Sequence, residues 1–312
     1  MSEQIATRDA YGKTLLELGR ENERIVVLDA DLSGSTKTAG FAKEFPARFF
    51  NAGIAEANMV GMAAGLSAGG MIPFASTFAV FAAGRAFEQI RQSVAYPKMN
   101  VKIVATHGGI TVGEDGGSHQ SVEDLAIMRA LPNMTVLCPA DGPETAAAIR
   151  AAAACQGPIY IRLGRSKVPT IFPAAATFAI GRGVTLRDGT DLTFMATGLM
   201  TARALAAAEI LAAENISARV LHFASLKPFD SVLALQAARE TKAVVTAEEH
   251  SVIGGLGGVV CETLAESCPV PVERVGLRDL FGQSGTGDEL LLHYGLTAAH
   301  LVEAAERVMQ RK

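Results

Sequence analysis

The chain has 312 residues, a formal net charge of −4, 49% hydrophobic residues and 19% charged residues. This composition is typical of a globular protein and excludes intrinsic disorder. A nucleic-acid footprint requires clustered Lys and Arg, so the slightly acidic balance gives no reason to expect DNA or RNA as a partner. The length favours two medium-sized domains over one large core.

Three features bear on the compartment and on membrane contact. The first twelve residues lack the basic-then-apolar layout of a signal peptide. The segment 57–84 carries no charge, but Pro73 and several glycines favour a buried helix, a turn and a strand over a membrane span. No Cys-x-x-Cys pair occurs, so we expect reduced, mostly buried thiols and a cytoplasmic protein without membrane contact. The four cysteines are Cys138, Cys155, Cys261 and Cys268.

Helix and strand patterns alternate along the first half of the chain. In chain order they predict a helix at 10–22, a strand at 24–29, a helix at 55–67, a strand at 74–77, a helix at 81–95, a strand at 101–106, a helix at 121–131, a strand at 135–139, a helix from about 143 and a strand at 158–163. The strands are continuous apolar runs, which are typical of parallel strands buried on both faces.

The alternation lapses between 167 and 183, where two prolines and no clear period predict a linker. It then restarts with a strand at 191–197, a helix at 201–214, a strand at 218–223, a helix at 231–239, a strand at 243–249, a helix at 259–267 and a strand at 270–276. The fold class is therefore α/β, with two domains that each contain a mainly parallel sheet. We place the domains at 1–170 and 185–312, joined by a linker at 171–184.

Two motifs resemble those of other enzyme classes but are better explained as local structure. GLSAG at 65–69 matches the G-x-S-x-G nucleophile elbow, and His107 in THGGI matches a hydrolase oxyanion-hole motif. Their order along the chain is reversed, and a helix pattern precedes Ser67 where the elbow requires a strand. GGLGG at 254–258 lacks the last glycine of a dinucleotide fingerprint, so a tight strand-to-helix turn is the better interpretation.

The most polar loop is VGEDGGSHQSVED at 112–124, which follows the predicted strand at 101–106. Glu114 and Asp115 lie near His119, but the spacings of calcium loops and zinc helices are both missing. By itself the loop is therefore a solvated acidic turn. We expect Glu123 and Asp124 in the first turn of the next helix, where the helix dipole favours acids.

Glu56 is the acidic residue whose position most suggests a function, because it is the lone carboxylate at the start of the uncharged segment 57–84. A buried, unpaired carboxylate is costly, so it should have a partner or share a proton. It is either a helix N-terminal acid or a carboxyl that binds a ligand. Phe78 and Phe81 follow at spacing i, i+3, a pair that in isolation is usually part of a core.

Taken together, these segments resemble the pyrimidine-binding domain of transketolases. The stretches that carry the resemblance are FNAGIAEANMVGMAAGLSAGG, STFAVFAAGRAFEQIR and ATHGGITVGEDGGSHQSVEDLAIMRALPNMTVLCPADGPE, with ATR at 6–8 and DADLSGS at 29–35. VTAEEHSVIGGLGG is similar to the small C-terminal domain of that family. The resemblance runs through nearly the whole chain. It implies a thiamine-diphosphate enzyme that moves a two-carbon ketol unit between sugar phosphates.

The resemblance also implies a partner. A complete transketolase carries a further domain whose GDG motif and downstream Asn hold a divalent ion, such as Mg²⁺, and the cofactor's diphosphate, and no GDG occurs here. The chain therefore resembles the C-terminal half of a split transketolase, with the metal held mainly by an N-terminal partner subunit. We expect an α2β2 assembly that is active only with that partner, and no metal ligand in this chain.

The family's cofactor contacts match three positions. Glu56 would hydrogen-bond N1′ of the aminopyrimidine and favour its imino tautomer, and Phe78 and Phe81 would pack on the ring. The family often has another aromatic residue three positions after the second Phe, where this sequence has Gly84. This departure puts the tightness of the ring packing in doubt.

Substrate contacts match the polar loop and several basic positions. Asp115 and His119 match residues near the sugar's reacting carbonyl, and the loop glycines would let the backbone approach the cofactor closely. The positions that match the terminal-phosphate site are Arg8, Ser35, His107 and Arg165. An arginine suits this task because its planar fork binds phosphate oxygens in pairs. The expected catalytic residues are Glu56, His107, Asp115 and His119.

Two alternatives remain open. The first is half of a related thiamine enzyme, namely a 2-oxoacid dehydrogenase β subunit or a 1-deoxyxylulose-phosphate synthase fragment. The second is a non-catalytic interaction subunit that has kept the fold, and the presence of Glu56, Phe78, Phe81 and His119 argues against it. The sequence does not name the donor or acceptor sugar.

Overall fold

The computed structural model describes residues 4–312. Its first part contains, in chain order, β1 (Gln4–Ala6), α1 (Thr7–Glu21), β2 (Ile25–Asp29), α2 (Ser33–Thr36), α3 (Ala39–Glu44), β3 (Phe49–Asn51), α4 (Glu56–Ala68), β4 (Ile72–Phe78), α5 (Ala79–Arg85), α6 (Phe87–Gln89), β5 (Lys102–Thr106), α7 (Asp124–Ala130), β6 (Thr135–Leu137), α8 (Gly142–Ala154), β7 (Ile159–Arg162) and β8 (Lys167–Pro169). A short 3₁₀ turn covers Pro46–Arg48, and a π-helix covers Ile90–Ala95.

The second part continues the alternation of strands and helices. It contains β9 (Val184–Arg187), β10 (Leu192–Ala196), α9 (Met200–Ala213), β11 (Ala218–His222), β12 (Ser225–Lys227), α10 (Ser231–Thr241), β13 (Val244–Ser251), α11 (Leu256–Ser267), β14 (Val272–Leu277), α12 (Gly287–His293) and α13 (Ala298–Met309). The predicted α/β class is confirmed.

Two larger sheets organise the fold. The first has the order β12-β6-β7-β5-β4-β2-β3, and all its pairs are parallel except β12 with β6. The second has the order β14-β13-β10-β11-β9, and only β9 pairs antiparallel. Every residue of β2, β4, β5, β7 and β10 is buried, as expected for parallel strands covered on both faces. Mainly parallel sheets in both parts agree with the sequence prediction.

The two parts are joined by more than a linker. β12 lies beyond the predicted linker but adds to the edge of the first sheet, beside β6. β8, where the linker pattern begins, pairs antiparallel with β1. Buried Met195, Leu221 and Phe223 pack in one hydrophobic cluster with residues of the first part. The core is therefore continuous across the two domains.

Some local predictions were wrong. The single helix predicted at 81–95 is divided into α5, α6 and the π-helix, and the helix predicted from 121 begins only at Asp124. Of the four free cysteines only Cys138 is buried, whereas the other three are partly exposed. The segment 57–84 forms most of α4, the strand β4 and most of α5, and within residues 4–312 no helix is long and apolar enough to cross a membrane.

Candidate active site

The candidate site lies where parallel strands of the first sheet end. Phe78 is the last residue of β4, His107 directly follows β5, and Glu56 begins α4 soon after β3. β4 pairs with β5 on one side and with β2 on the other, so their carboxyl ends meet at one edge of the sheet. This edge is where open α/β sheets bind ligands.

Four rings form a cluster at this edge. Phe78 and Phe81 lie nearly parallel, with ring centroids 5.7 Å apart. His107 stacks on Phe78 with a centroid distance of 3.8 Å. His119, from the polar loop, presents an edge contact to Phe81 at 5.4 Å and to Phe78 at 6.2 Å. The structure therefore brings together four residues that the sequence analysis selected from three separate segments.

The carboxylate of Glu56 is buried and has one partner. Its side chain is 4% exposed, and its Oε1 accepts a hydrogen bond from Nη1 of Arg85 at 2.8 Å. The guanidinium of Arg85 also lies over the ring of Phe81, with 3.9 Å between Cζ and the ring centroid. Glu56 is thus linked to the aromatic cluster through Arg85. Of the two outcomes expected for this buried acid, a partner or a shared proton, the structure shows a partner, Arg85, which was not predicted as a site residue.

His107 has a defined tautomer because its two ring nitrogens have different partners. Nη1 of Arg8 donates to Nε2 at 3.0 Å, and since a guanidinium only donates, Nε2 must accept. The ring proton is therefore on Nδ1, which donates to Oγ1 of Thr106 at 2.8 Å. Burial, followed by the positive charges of Arg8 and Arg165, lowers the pKa of His107 to about 3. His107 is neutral at physiological pH.

Arg8 and Arg165 place positive charge beside this neutral ring. Arg8 lies in the first turn of α1, is half-buried, and also donates to the backbone carbonyl of Ser35 at 3.2 Å. Arg8 is therefore held in place by two contacts and is not a fully exposed charge near the N-terminus. Ser35 contributes its carbonyl oxygen to this contact, not its hydroxyl. Burial, partly offset by Asp9, lowers the pKa of Arg8, and Arg165 lowers it further.

Arg165 follows β7 and holds the polar loop. Its Nη1 donates to the backbone carbonyl of Val112 and to Oε2 of Glu114 at 3.3 Å, and it lies 3.7 Å from Oδ2 of Asp115. Asp115 is therefore directed to Arg165, whereas His119 contacts the aromatic pair. The side chain of Arg165 is 34% exposed, so this cation remains accessible to a ligand.

The polar loop is fixed against the second domain. Nε2 of Gln120 donates to the carbonyls of Ile110 at 3.1 Å, Gly113 at 3.2 Å and Gln283 at 2.9 Å. A Cβ added at Gly116 would lie 2.6 Å from Oγ of Ser284. At least this glycine therefore lets the loop approach the second domain, a reason that the sequence did not indicate.

A buried polar network lies beneath the loop. Asp124 Oδ2 accepts from the hydroxyl of Tyr160 at 2.8 Å and lies 3.3 Å from Nε of Arg162. Arg162 also donates to the backbone carbonyls of Ser121 at 3.2 Å and Glu249 at 2.8 Å. Asp124 does lie in the first turn of its helix, as predicted, but it pairs with a buried arginine and does not face solvent.

The motifs assigned to local structure have structural partners. Ser67 lies near the end of α4, where its hydroxyl accepts from the backbone N–H of Asn100 at 2.9 Å. The glycines before α11 allow both oxygens of Glu248 to accept from the N–H groups of Leu256 and Gly257, at 2.7 and 2.8 Å. A Cβ added at Gly255 would lie 2.0 Å from Glu248. Neither motif forms the hydrolase or dinucleotide geometry.

The chemistry of the site suits a flat, weakly basic heteroaromatic ring. Phe78 is buried and Phe81 is partly exposed, and Oε2 of Glu56 accepts no hydrogen bond from any residue in 4–312. A ring with a nitrogen or N–H at its edge could therefore stack on the aromatics and bond the carboxyl. Within the same residues no cluster of three or more His, Cys, Asp or Glu side chains could hold a metal ion.

Comparison with known protein families identifies both parts of the chain. Residues 3–170 match the model of the transketolase pyrimidine-binding domain, and residues 181–301 match the transketolase C-terminal domain. The chain belongs to the transketolase family. The predicted resemblance is confirmed, and the protein is a subunit of transketolase type.

Relatives of similar length show which part of a transketolase the chain represents. It is 54% identical to a protein named as a transketolase C-terminal section from Methanocaldococcus jannaschii, covering 97% of this chain and 95% of the relative. It is 48% identical to a 6-deoxy-6-sulfo-D-fructose transketolase subunit from Clostridium sp. strain MSTE9, with 98% and 95% covered. A solved structure described as a split-gene transketolase, inactive β4 tetramer, is 60% identical, covers 99% of both chains and has a TM-score of 0.93.

Proposed function

We propose that this chain is the C-terminal subunit of a two-subunit, thiamine-diphosphate-dependent transketolase. The reaction transfers a two-carbon ketol unit from a ketose phosphate to an aldose phosphate. The observation that carries the proposal is the convergence of Glu56, the pair Phe78 and Phe81, and His119 at one sheet edge. A non-catalytic subunit would have no need to keep a buried carboxyl beside this cluster of aromatic rings.

The cofactor contacts of this subunit are assigned to three residues. Oε2 of Glu56 is available to hydrogen-bond N1′ of the aminopyrimidine, and Phe78 and Phe81 supply the surface on which that ring packs. Thiamine diphosphate would supply the nucleophilic carbon that accepts the two-carbon unit. The diphosphate and a divalent ion such as Mg²⁺ are assigned to the partner subunit by analogy with the family's domain that carries the GDG motif, which does not occur in this sequence.

The substrate contacts are assigned to the basic residues and the polar loop. Arg8 and Arg165 provide the positive charge that a terminal phosphate requires, and Ser35 lies beside Arg8. His107 supports this site by orienting Arg8, because its Nε2 accepts from that arginine and its proton is donated to Thr106. His119 is placed to contact the sugar next to the aromatic pair, and Asp115 to contact it beside Arg165.

The assembly is proposed on the same basis. An N-terminal partner would complete each site, and self-association of both subunits gives an α2β2 heterotetramer in the cytoplasm. The inactive β4 tetramer of the 60% identical relative supports self-association of this type of subunit. The sugars belong to pentose phosphate or related carbohydrate metabolism. Relatives that share this fold include a subunit named for a sulfo-sugar, so the fold alone does not fix the substrate.

The test reconstitutes the enzyme from its parts. The purified chain, a candidate N-terminal subunit and their mixture are each assayed for ketol transfer with thiamine diphosphate and Mg²⁺. We expect activity in the mixture only, and Glu56→Gln should reduce turnover by a factor of about 10² or more while leaving the assembly intact. Ketol transfer by the isolated chain, or near-normal turnover of the Glu56→Gln complex, would refute the assignment.

A further inference from the structure

Glu56 and Arg85 enclose the longest uncharged segment of the chain and meet in space. Between them, residues 57–84 carry no charged side chain. Nη1 of Arg85 donates to Oε1 of Glu56 at 2.8 Å, although the carboxylate side chain is 4% exposed and that of Arg85 is 51% exposed. The arginine therefore reaches from the surface to a buried acid, and it occupies only one of the two carboxylate oxygens.

The same guanidinium covers an aromatic ring of the site. Its Cζ lies 3.9 Å from the centroid of Phe81, a distance typical of a stacked cation–π contact. Arginine suits both contacts because its planar group can stack on a ring while its N–H groups donate at the edge. Arg85 thus joins the carboxyl and the aromatic surface, the two elements that an aminopyrimidine would use.

The position beside Arg85 has no side chain. Gly84 is exposed, and an added Cβ there would meet no atom within 4 Å. The transketolase pattern often has a third aromatic residue at this position, so the wall of the ring site would be incomplete if the two phenylalanines formed it alone. The guanidinium of Arg85 is the neighbouring planar group that can complete it.

We propose that Arg85 is a positioning residue of the aminopyrimidine site: it fixes Glu56 through Oε1, leaves Oε2 for the ring, and completes the wall that Gly84 leaves open. This inference rests on the proposed function. The alternative is that Arg85 occupies the place that the aminopyrimidine ring would take. If Arg85 stood in that place, removing it would strengthen cofactor binding, whereas a positioning residue strengthens binding while it is present.

The experiment measures cofactor binding by the reconstituted two-subunit complex. Thiamine diphosphate is titrated with Mg²⁺ into wild type, Arg85→Ala, Arg85→Lys and the matched control Arg91→Ala, using calorimetry and the circular dichroism of the bound cofactor. Arg91 is exposed and donates no side-chain hydrogen bond within residues 4–312. We expect the Kd to rise about tenfold in Arg85→Ala, with a weaker dichroism signal at saturation. Arg85→Lys should fall between this variant and wild type, and Arg91→Ala should match wild type.

The outcomes separate this inference from the proposed function. A wild-type complex that takes up no thiamine diphosphate refutes the function itself. If wild type binds and Glu56→Gln weakens binding, but Arg85→Ala binds with unchanged or tighter affinity and the same dichroism, only the role of Arg85 is refuted. Thermal unfolding of each complex identifies a variant that fails to fold. If Arg85→Ala fails to fold, the comparison of Arg85→Lys with wild type tests the role of Arg85, because lysine keeps the positive charge but cannot stack as a planar group.

Discussion

Arg8 donates to Nε2 of His107 at 3.0 Å and thereby fixes where the imidazole can carry its proton. The opposite nitrogen donates to Thr106, so both ring nitrogens have partners and the neutral form is the one that fits. A second proton on Nε2 would face the guanidinium, with Arg165 adding further positive charge. His107 therefore acts as an acceptor that orients Arg8.

This arrangement predicts how stability depends on pH. Burial and then Arg8 lower the pKa of His107 from 6.5 to about 3. Between these values the unfolded chain binds the proton and the folded chain does not, so the contribution of His107 is complete above pH 6.5 and is lost as the pH falls towards 3. The slope from this single group is at most about 1.4 kcal/mol per pH unit. Urea unfolding of wild type and His107→Gln at pH 7.5 and 5.5 should show a smaller loss in the variant.

The matched control is His293→Gln, because His293 is exposed on α12. This variant should keep the wild-type dependence on pH. A second measurement is the ¹⁵N NMR spectrum at pH 7, where Nε2 of His107 should resonate as an unprotonated nitrogen. A His107→Gln protein with the full wild-type slope, or a protonated Nε2, would contradict the assigned tautomer.

Replacing Arg165 tests the phosphate site. Arg165→Ala removes a partly exposed cation beside the polar loop, so KM for a phosphorylated sugar should rise about tenfold or more. KM for the unphosphorylated analogue should change much less, because that sugar has no phosphate for Arg165 to bind. The measurement is steady-state kinetics of the reconstituted complex with both sugars, and Arg182→Ala, which removes a 72% exposed arginine, is the control. Equal effects on both sugars would argue against a phosphate contact.

The contact between Gln120 and Gln283 predicts that the second domain helps to shape the site. The Nε2 of Gln120 donates to three backbone carbonyls, and those of Ile110 and Gly113 also accept from backbone N–H groups. Gln120→Leu therefore removes the bond to Gln283, which connects the loop to the second domain. We expect a stability loss of about 1–3 kcal/mol and faster hydrogen exchange at the amides of Gly116 and His119. Gln236→Leu, on the exposed face of α10, should change neither. Unchanged exchange in Gln120→Leu would show that the loop keeps its shape without this contact.

The sequence predicted the main strands because each is a continuous apolar run that must be buried. It did not predict β12, since three residues are too short for a period and the pairing with β6 depends on how the second domain packs. Glu56 attracted attention because a lone acid beside an uncharged segment is costly to bury, and its place in the site was implied by the family resemblance. Arg85 could have been found by the same reasoning, as it is the first charge after that segment.

The roles inside the site depended on contacts that are distant in sequence. His107 was predicted at the phosphate site, and the sequence did not indicate that its Nε2 accepts a hydrogen bond from Arg8, which is 99 positions away. Asp115 and His119 lie four residues apart and were expected to act together. The structure directs one to Arg165 and the other to the aromatic pair, because the turn at Gly116 separates them. Spacing along a loop does not determine which way its side chains face.

The buried pair of Asp124 and Arg162 gives the largest predicted effect on stability. Both side chains are at most 5% exposed, so Arg162→Met leaves the carboxylate of Asp124 without its buried counter-ion. Breaking such a pair typically costs about 3–5 kcal/mol. Tyr160→Phe removes only the hydrogen bond from Tyr160 to the Asp124 carboxylate and should cost about 1.5–3 kcal/mol. Both are measured by denaturant unfolding of the isolated subunit.

A double replacement distinguishes an ion pair from two independent residues. In Asp124→Leu with Arg162→Met no buried charge of the pair is left alone, so the loss should be smaller than the sum of the two single losses. Arg162 also donates to the carbonyl of Glu249 in β13, so part of its loss should remain in the double variant. Strictly additive losses would mean that Asp124 and Arg162 stabilise the protein separately. A coupled loss would show that the two side chains stabilise the protein as a buried ion pair.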